Sequence, residues 1–132
     1  MQHTPITPSA DAIRPPNGPY SHALAVRPDL RWVYISGQMG VAPDGSIPPD
    51  VETQTEIVWG NCVHLLEEAG MTMDDVVRVS HYIVGRENLD GYNKARARFF
   101  GDARPASTLL IVAGLALPGL LVETDMVAAR PA

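Results

Sequence analysis

The residues of this chain best suited to chemistry are two carboxylates near the C-terminus, Glu123 and Asp125. They stand at i and i+2 in Leu121-Val122-Glu123-Thr124-Asp125-Met126-Val127, a run that reads as a strand, so both project from one face. A carboxylate set among apolar neighbours can move protons or orient a water. The same pattern also describes a strand with one solvated face. The other candidates carry less. His3, His22, His64 and His81 show no metal-ligand spacing of the HxH or HExxH kind, and His64 with Glu67 and Glu68 fits a solvated helix face. His81 shares a face by alternation with Val77, Val79 and Ile83 and reads as an interior or interface histidine. Ser21 and His22 are neighbours on an extended segment and point to opposite sides, so adjacency does not make them a nucleophile–base pair. The single cysteine, Cys62, excludes an internal disulfide or multi-cysteine zinc site, and its place on an apolar helix stripe reads as packing. No glycine-rich phosphate loop is present, so nucleotide-dependent chemistry is not expected, and the histidine and cysteine spacing predicts no metal site.

The elements that must position these residues follow from periodicity and punctuation. Prolines, 12 of 132 residues, separate segments rather than lie within them. Residues 1–19 read as an extended arm, loose over 1–12. Residues 20–26 and 30–37 read as an extended pair turning at Arg27-Pro28-Asp29. A helix starts after Asp50 as N-cap, with Glu52 in its first turn, and closes at Gly70. Its apolar stripe is Val58, Cys62, Leu65/Leu66 and Ala69. Residues 76–84 form a strand, and a second helix runs from about Asn88 to Gly101 with Leu89, Tyr92, Ala95 and Phe99 inward. Two strands at 107–113 and 120–128 end the chain. The order predicts an α+β fold, a mixed sheet of about six strands with two helices on one face. Bulky residues on both strand faces leave the other face in need of a partner, and self-association is the economical answer.

Length and charge bound the function. A chain of 132 residues is one domain, and 45% hydrophobic residues fill its core. Ten Lys+Arg against fifteen Asp+Glu give a net charge of −5, which argues against nucleic acid as a partner. No apolar run approaches the ~20 residues of a membrane span, and the first residues lack the basic and apolar regions of a signal peptide. A cytoplasmic protein with no membrane partner is expected.

Six motifs then fall in order along the chain. Gly18-Pro19-Tyr20-Ser21-His22-Ala23, Ser36-Gly37-Gln38, the 50–70 helix, Asn93 after Leu89 and Tyr92, Arg104-Pro105-Ala106-Ser107-Thr108, and Val122-Glu123-Thr124-Asp125 together resemble the RidA/YjgF family, collinearly from about residue 12 to 128. The resemblance implies a chorismate-mutase-like fold assembled as a homotrimer, with active sites between subunits. It also implies cofactor-independent hydrolysis of reactive 2-imino acids or enamines to 2-oxo acids and ammonia. By the same resemblance Tyr20, Ser36, Asn93, Ser107 and Leu109 line the substrate pocket, and Glu123 holds and polarises the attacking water.

One position departs from the pattern. Deaminating members read Pro-Ala-Arg-Ser-Thr, the arginine clamping the substrate carboxylate, whereas here Pro105-Ala106 leads directly into Ser107. A serine hydroxyl offers one donor and no charge where a guanidinium grips by two parallel bonds. At roughly 1.5–3 kcal/mol for a hydrogen bond to a charged group, an anionic substrate should bind about ten- to more than a hundredfold more weakly. Arg104 or Arg14 could replace the cation, or the pocket accepts a neutral or cationic ligand. The connection 114–118 is also longer than the family's. Two functions follow from the sequence: a small hydrolase of an imine, enamine or related C–N substrate, and, as the alternative, a non-catalytic trimer that binds a small metabolite. The endoribonuclease label often attached to the family fits this acidic chain least.

Overall fold

The structure is a computed structural model that describes residues 3–132. Six strands and two helices follow one another as β1 (Thr4–Ile6), β2 (Ala23–Ala25), β3 (Arg31–Met39), α1 (Val51–Glu68), β4 (Val76–Val84), α2 (Leu89–Phe100), β5 (Ala106–Val112) and β6 (Val122–Arg130). Four of the strands form one mixed sheet in the order β3-β6-β4-β5, with β6 antiparallel to both neighbours and β5 parallel to β4. The parallel pair is joined through α2, the crossover that a parallel connection requires. The two remaining strands, β1 and β2, pair antiparallel as a separate ribbon.

That ribbon corrects two expectations. The strand after His22 does not turn back onto β3; it pairs with Thr4–Ile6 of the arm expected to be loose. Pro28 stiffens the chain between β2 and β3, and Arg27 and Asp29 close on each other as an exposed ion pair across it. The backbone groups of β2 are satisfied instead by the N-terminal segment, as unpaired strand edges must be.

The helices form where their end signals stand. Asp50 caps α1, its carboxylate accepting from the backbone N–H of Thr53 at 2.9 Å and from the Thr53 hydroxyl at 2.7 Å. Gly70 lies just beyond the helix at φ +72°, a conformation that favours glycine. α1 buries Val51, Val58, Trp59, Cys62 and Leu66 against the sheet, while Leu65, expected inward, is 37% exposed. Residues 58, 62 and 66 follow each other at i+4, so the buried stripe passes beside Leu65. α2 buries Tyr92, Ala95, Arg96 and Phe100, with Phe99 only half-buried. Both helices cover the same sheet face, where Val79, His81 and Ile83 of β4 and Val122, Thr124 and Met126 of β6 point. Burying one large apolar side chain such as Ile83 contributes roughly 1.5–3 kcal/mol. No helix is long and apolar enough to cross a membrane among the described residues.

Candidate functional site

A cleft of about 710 Å³ opens between the loop before Ser21, the outer side of α2 and the beginning of β5. Its walls include Tyr20, Asn93, Arg96, Arg104, Ser107 and Leu109. Tyr20 is placed by its neighbour: Ser21 donates its hydroxyl to the Arg104 carbonyl at 2.5 Å and its N–H to the Pro105 carbonyl at 3.1 Å, tying the loop to the chain entering β5. The Tyr20 hydroxyl donates to Asn17 Oδ1 at 3.1 Å. Arg104 reaches the cleft because it precedes β5, where strand alternation does not yet apply, and its guanidinium donates to the carbonyls of Gly101 and Ala103. Ser107 and Leu109 alternate inward along β5, while Thr108 between them faces the other way and accepts from Arg78 at 2.8 Å.

Behind the cleft lies a buried polar network that the sequence only half revealed. His81 is fully buried, and its Nε2 accepts from Ser107 Oγ at 2.9 Å and from Arg96 Nη1 at 3.3 Å. Because the guanidinium has only protons to offer, Nε2 carries the lone pair and the ring proton sits on Nδ1. That proton is donated to the Tyr92 hydroxyl, which also accepts from Trp59 Nε1 at 3.3 Å and donates to Thr124 Oγ1 at 3.2 Å. Burial, followed by the adjacent Arg96 charge, pushes the His81 pKa down to about 3, so the ring is neutral. Burial pushes the Tyr92 phenol up to about 12 and likewise the Cys62 thiol to about 12, which leaves both protonated and Cys62 inert. A neutral imidazole beside a guanidinium is a weak base, so Ser107 is held in place by His81 rather than activated as a nucleophile.

Arg96 is the cleft residue that sequence reasoning missed. It was hidden on a helix whose inward stripe was drawn through Ala95 and Phe99. The signal was Tyr92, Arg96 and Phe100 at i, i+4 and i+8, which stacks the guanidinium over two rings at 5.3 and 5.2 Å.

The other expected site residues lie elsewhere. Because Thr124 faces Tyr92 and the helices, its neighbours Glu123 and Asp125 face the uncovered side of the sheet. Glu123 is half-buried there, opposite Tyr82 and Met39. The register slips between Ile35 and Gln38, and a Cβ on Gly37 would fall 2.3 Å from Glu123 Oε2, so glycine leaves room for this carboxylate. Ser36, next to Gly37, is exposed on the same side. Glu123 and Ser36 therefore sit together, apart from Tyr20, Asn93, Ser107 and Leu109. Arg14 does not line the cleft; it is exposed, and its carbonyl accepts from His22 Nε2 at 2.6 Å. The uncovered face also carries Tyr34 at 76% exposure, Leu110 at 48% and Trp32 at 40%. Among the described residues no three His, Cys, Asp or Glu side chains come together as a metal site.

Comparison with known proteins identifies the family of the chain. The family described as Endoribonuclease L-PSP matches residues 11–130. The chain belongs to this family, the RidA/YjgF proteins. A RutC family protein of Pyrococcus abyssi is 30% identical over 115 residues, 86% of this chain and 87% of that one. Among solved structures, the Rid family protein YyfB from Yersinia pestis superposes with a TM-score of 0.79 at 29% identity, covering 98% of this chain and 100% of that one. TdcF of E. coli, solved with bound serine, superposes with a TM-score of 0.70 at 25% identity over 98% of this chain and 95% of that one. Within the RidA/YjgF fold, β5, α2 and the Tyr20 loop carry the cleft of this chain, and β3 and β6 carry Glu123.

Proposed function

We propose that this chain is a cytoplasmic, cofactor-independent hydrolase of an imine, enamine or related C–N substrate, acting in clefts completed between copies of a homotrimer. The observation that carries the reading is the division of the site residues. Tyr20, Asn93, Ser107 and Leu109 line the cleft, with Arg104 at its rim, while Glu123 and Ser36 stand on a face whose exposed Tyr34, Trp32 and Leu110 ask for a partner. A second copy seated on that face brings a carboxylate to a cleft that has hydrogen-bond donors but no acid of its own. Glu123 then orients a water toward the C=N carbon and takes its proton as the C–O bond forms and the π pair moves to nitrogen. That proton passes on to the nitrogen, and the tetrahedral adduct expels ammonia by breaking its C–N bond as its hydroxyl gives up its proton to the nitrogen and becomes a carbonyl. Serine bound to the relative TdcF supports a ligand of metabolite size.

The test is ammonia release from freshly generated 2-aminoacrylate and larger 2-imino acids, with light scattering alongside. Wild type is expected to release ammonia, and Glu123→Ala to lose about 10²–10⁴-fold in rate. Three 14.2 kDa chains give a species of about 43 kDa, and a 14.2 kDa species would remove the composite site. The second reading, a non-catalytic metabolite binder, is favoured by the serine at position 107, whose hydroxyl is held by a neutral histidine. Saturable binding without product would select it.

A further inference from the structure

We infer that Arg96, on α2, is the anion-binding residue of this cleft and does there what the arginine absent from β5 would do. The inference rests on reading the cleft as the ligand site and adds the residue that selects a carboxylate there.

Arg96 is only 8% exposed, and among the described residues no carboxylate lies within 4 Å of it. A buried cation without a counterion is costly, and cores do not retain one without compensation. Its compensation here is neutral: Nε donates to Asn93 Oδ1 at 3.0 Å, Nη1 donates to His81 Nε2 at 3.3 Å, and the rings of Tyr92 and Phe100 lie at 5.3 and 5.2 Å. These contacts hold the guanidinium in one orientation without cancelling its charge. No bond is made by Nη2 among the described residues, and no fully buried side-chain nitrogen lacks a partner, so Nη2 opens toward the cleft. A guanidinium with a fixed plane and a free outer edge is a receptor for a planar anion.

The surroundings narrow the class. Arg104, the other arginine of the cleft, directs donors to main-chain carbonyls. Arg96 is the one buried charge lining the cleft, Arg104 being exposed, and one buried charge favours a monoanion over a phosphate dianion. Leu89, Ala97, Phe100 and Leu109 supply an apolar wall close to Arg96, which suits a short hydrocarbon group. The cation that the resemblance places on β5 thus has its counterpart on α2, held from behind by the histidine that also holds Ser107.

The test is direct binding of butanoate and of its neutral isostere butanamide, followed by ligand-observed NMR on the full-length protein. Wild type should bind butanoate at least tenfold more tightly than butanamide. Arg96→Gln should weaken butanoate about ten- to a hundredfold and leave butanamide unchanged. Arg96→Lys should retain part of the preference. Because Arg96 also packs against two rings, Arg96→Gln/Ser107→Arg is included, returning a guanidinium to the same cleft from β5, and it should recover butanoate binding. Equal binding of the two probes by wild type, no binding of either, or undiminished butanoate binding by Arg96→Gln each overturns the inference. Neither probe needs turnover: Arg96-dependent butanoate binding without ammonia release from any imine would leave this inference standing and remove the hydrolase reading.

Discussion

The two faces of β6 treat polar groups in opposite ways. Toward the helices, Thr124 joins Tyr92, His81 and Trp59 in a network with every partner in place; toward the uncovered side, one residue earlier, Glu123 stands half-buried against Gly37. The inner network is finished within one chain: among the described residues no buried side-chain nitrogen or oxygen lacks a hydrogen bond. The outer face is unfinished, with Tyr34 76% exposed and a carboxylate that no cleft residue meets. The difference teaches that the two sides of one sheet are finished to different degrees within a single chain. The inside holds the cleft wall in shape, and in the proposed assembly the outside receives a second copy.

The strongest way to break this contrast is to damage the inner network. Tyr92→Phe removes one hydroxyl and orphans two buried donors, His81 Nδ1 and Trp59 Nε1. At roughly 1–3 kcal/mol per unsatisfied buried group, it should lower unfolding stability by roughly 2–6 kcal/mol. Urea denaturation measures this, and a loss under about 0.5 kcal/mol, the range of an ordinary surface change, would mean the network contributes little.

A gentler probe is pH. His81 titrates near 6.5 when unfolded and near 3 when folded, with Arg96 and Tyr92 the ionisable groups beside it. Between these values the unfolded chain binds one proton more, so stability is full above pH 6.5 and falls as pH drops toward 3. The expected slope is about 1 kcal/mol per pH unit from this group. Denaturation midpoints at pH 7, 6 and 5 should decline in wild type and decline less in His81→Asn. Equal slopes in the two proteins would remove His81 as the cause.

The smallest effect on the chain itself is expected on the outer face. Tyr34→Ser should change the folding stability of a single copy by no more than about 0.5 kcal/mol, since the side chain is mostly in water. It should nevertheless weaken association, read as a shift toward 14.2 kDa in light scattering. An assembly indifferent to Tyr34→Ser and Leu110→Ser together would place the contact elsewhere.

Much of this was legible locally. Asp50 and Gly70 mark the ends of α1, Gly101 stops α2, and alternation places β4 at Val76–Val84 with His81 inward, because caps and periodicity depend on neighbours a few residues away. The motifs from Tyr20 to Glu123 were likewise readable in order. The pairing of β2 with β1 was not, since a three-residue strand carries no mark of its partner.

By itself, then, the sequence determined both helices, the strands after the N-terminal arm, the family and the residue types available for chemistry. Only the tertiary structure decided which of those residues meet. It parted Glu123 and Ser36 from the cleft because alternate residues of a strand must face opposite sides of its sheet. It brought Arg96 in because a helical turn set that guanidinium between two rings and against a histidine 15 residues earlier in the chain. A side chain's burial is set by what folds over it, and here that cover comes from β4 and β5, which flank α2 in the chain but meet Arg96 only because the crossover folds the helix back onto the sheet.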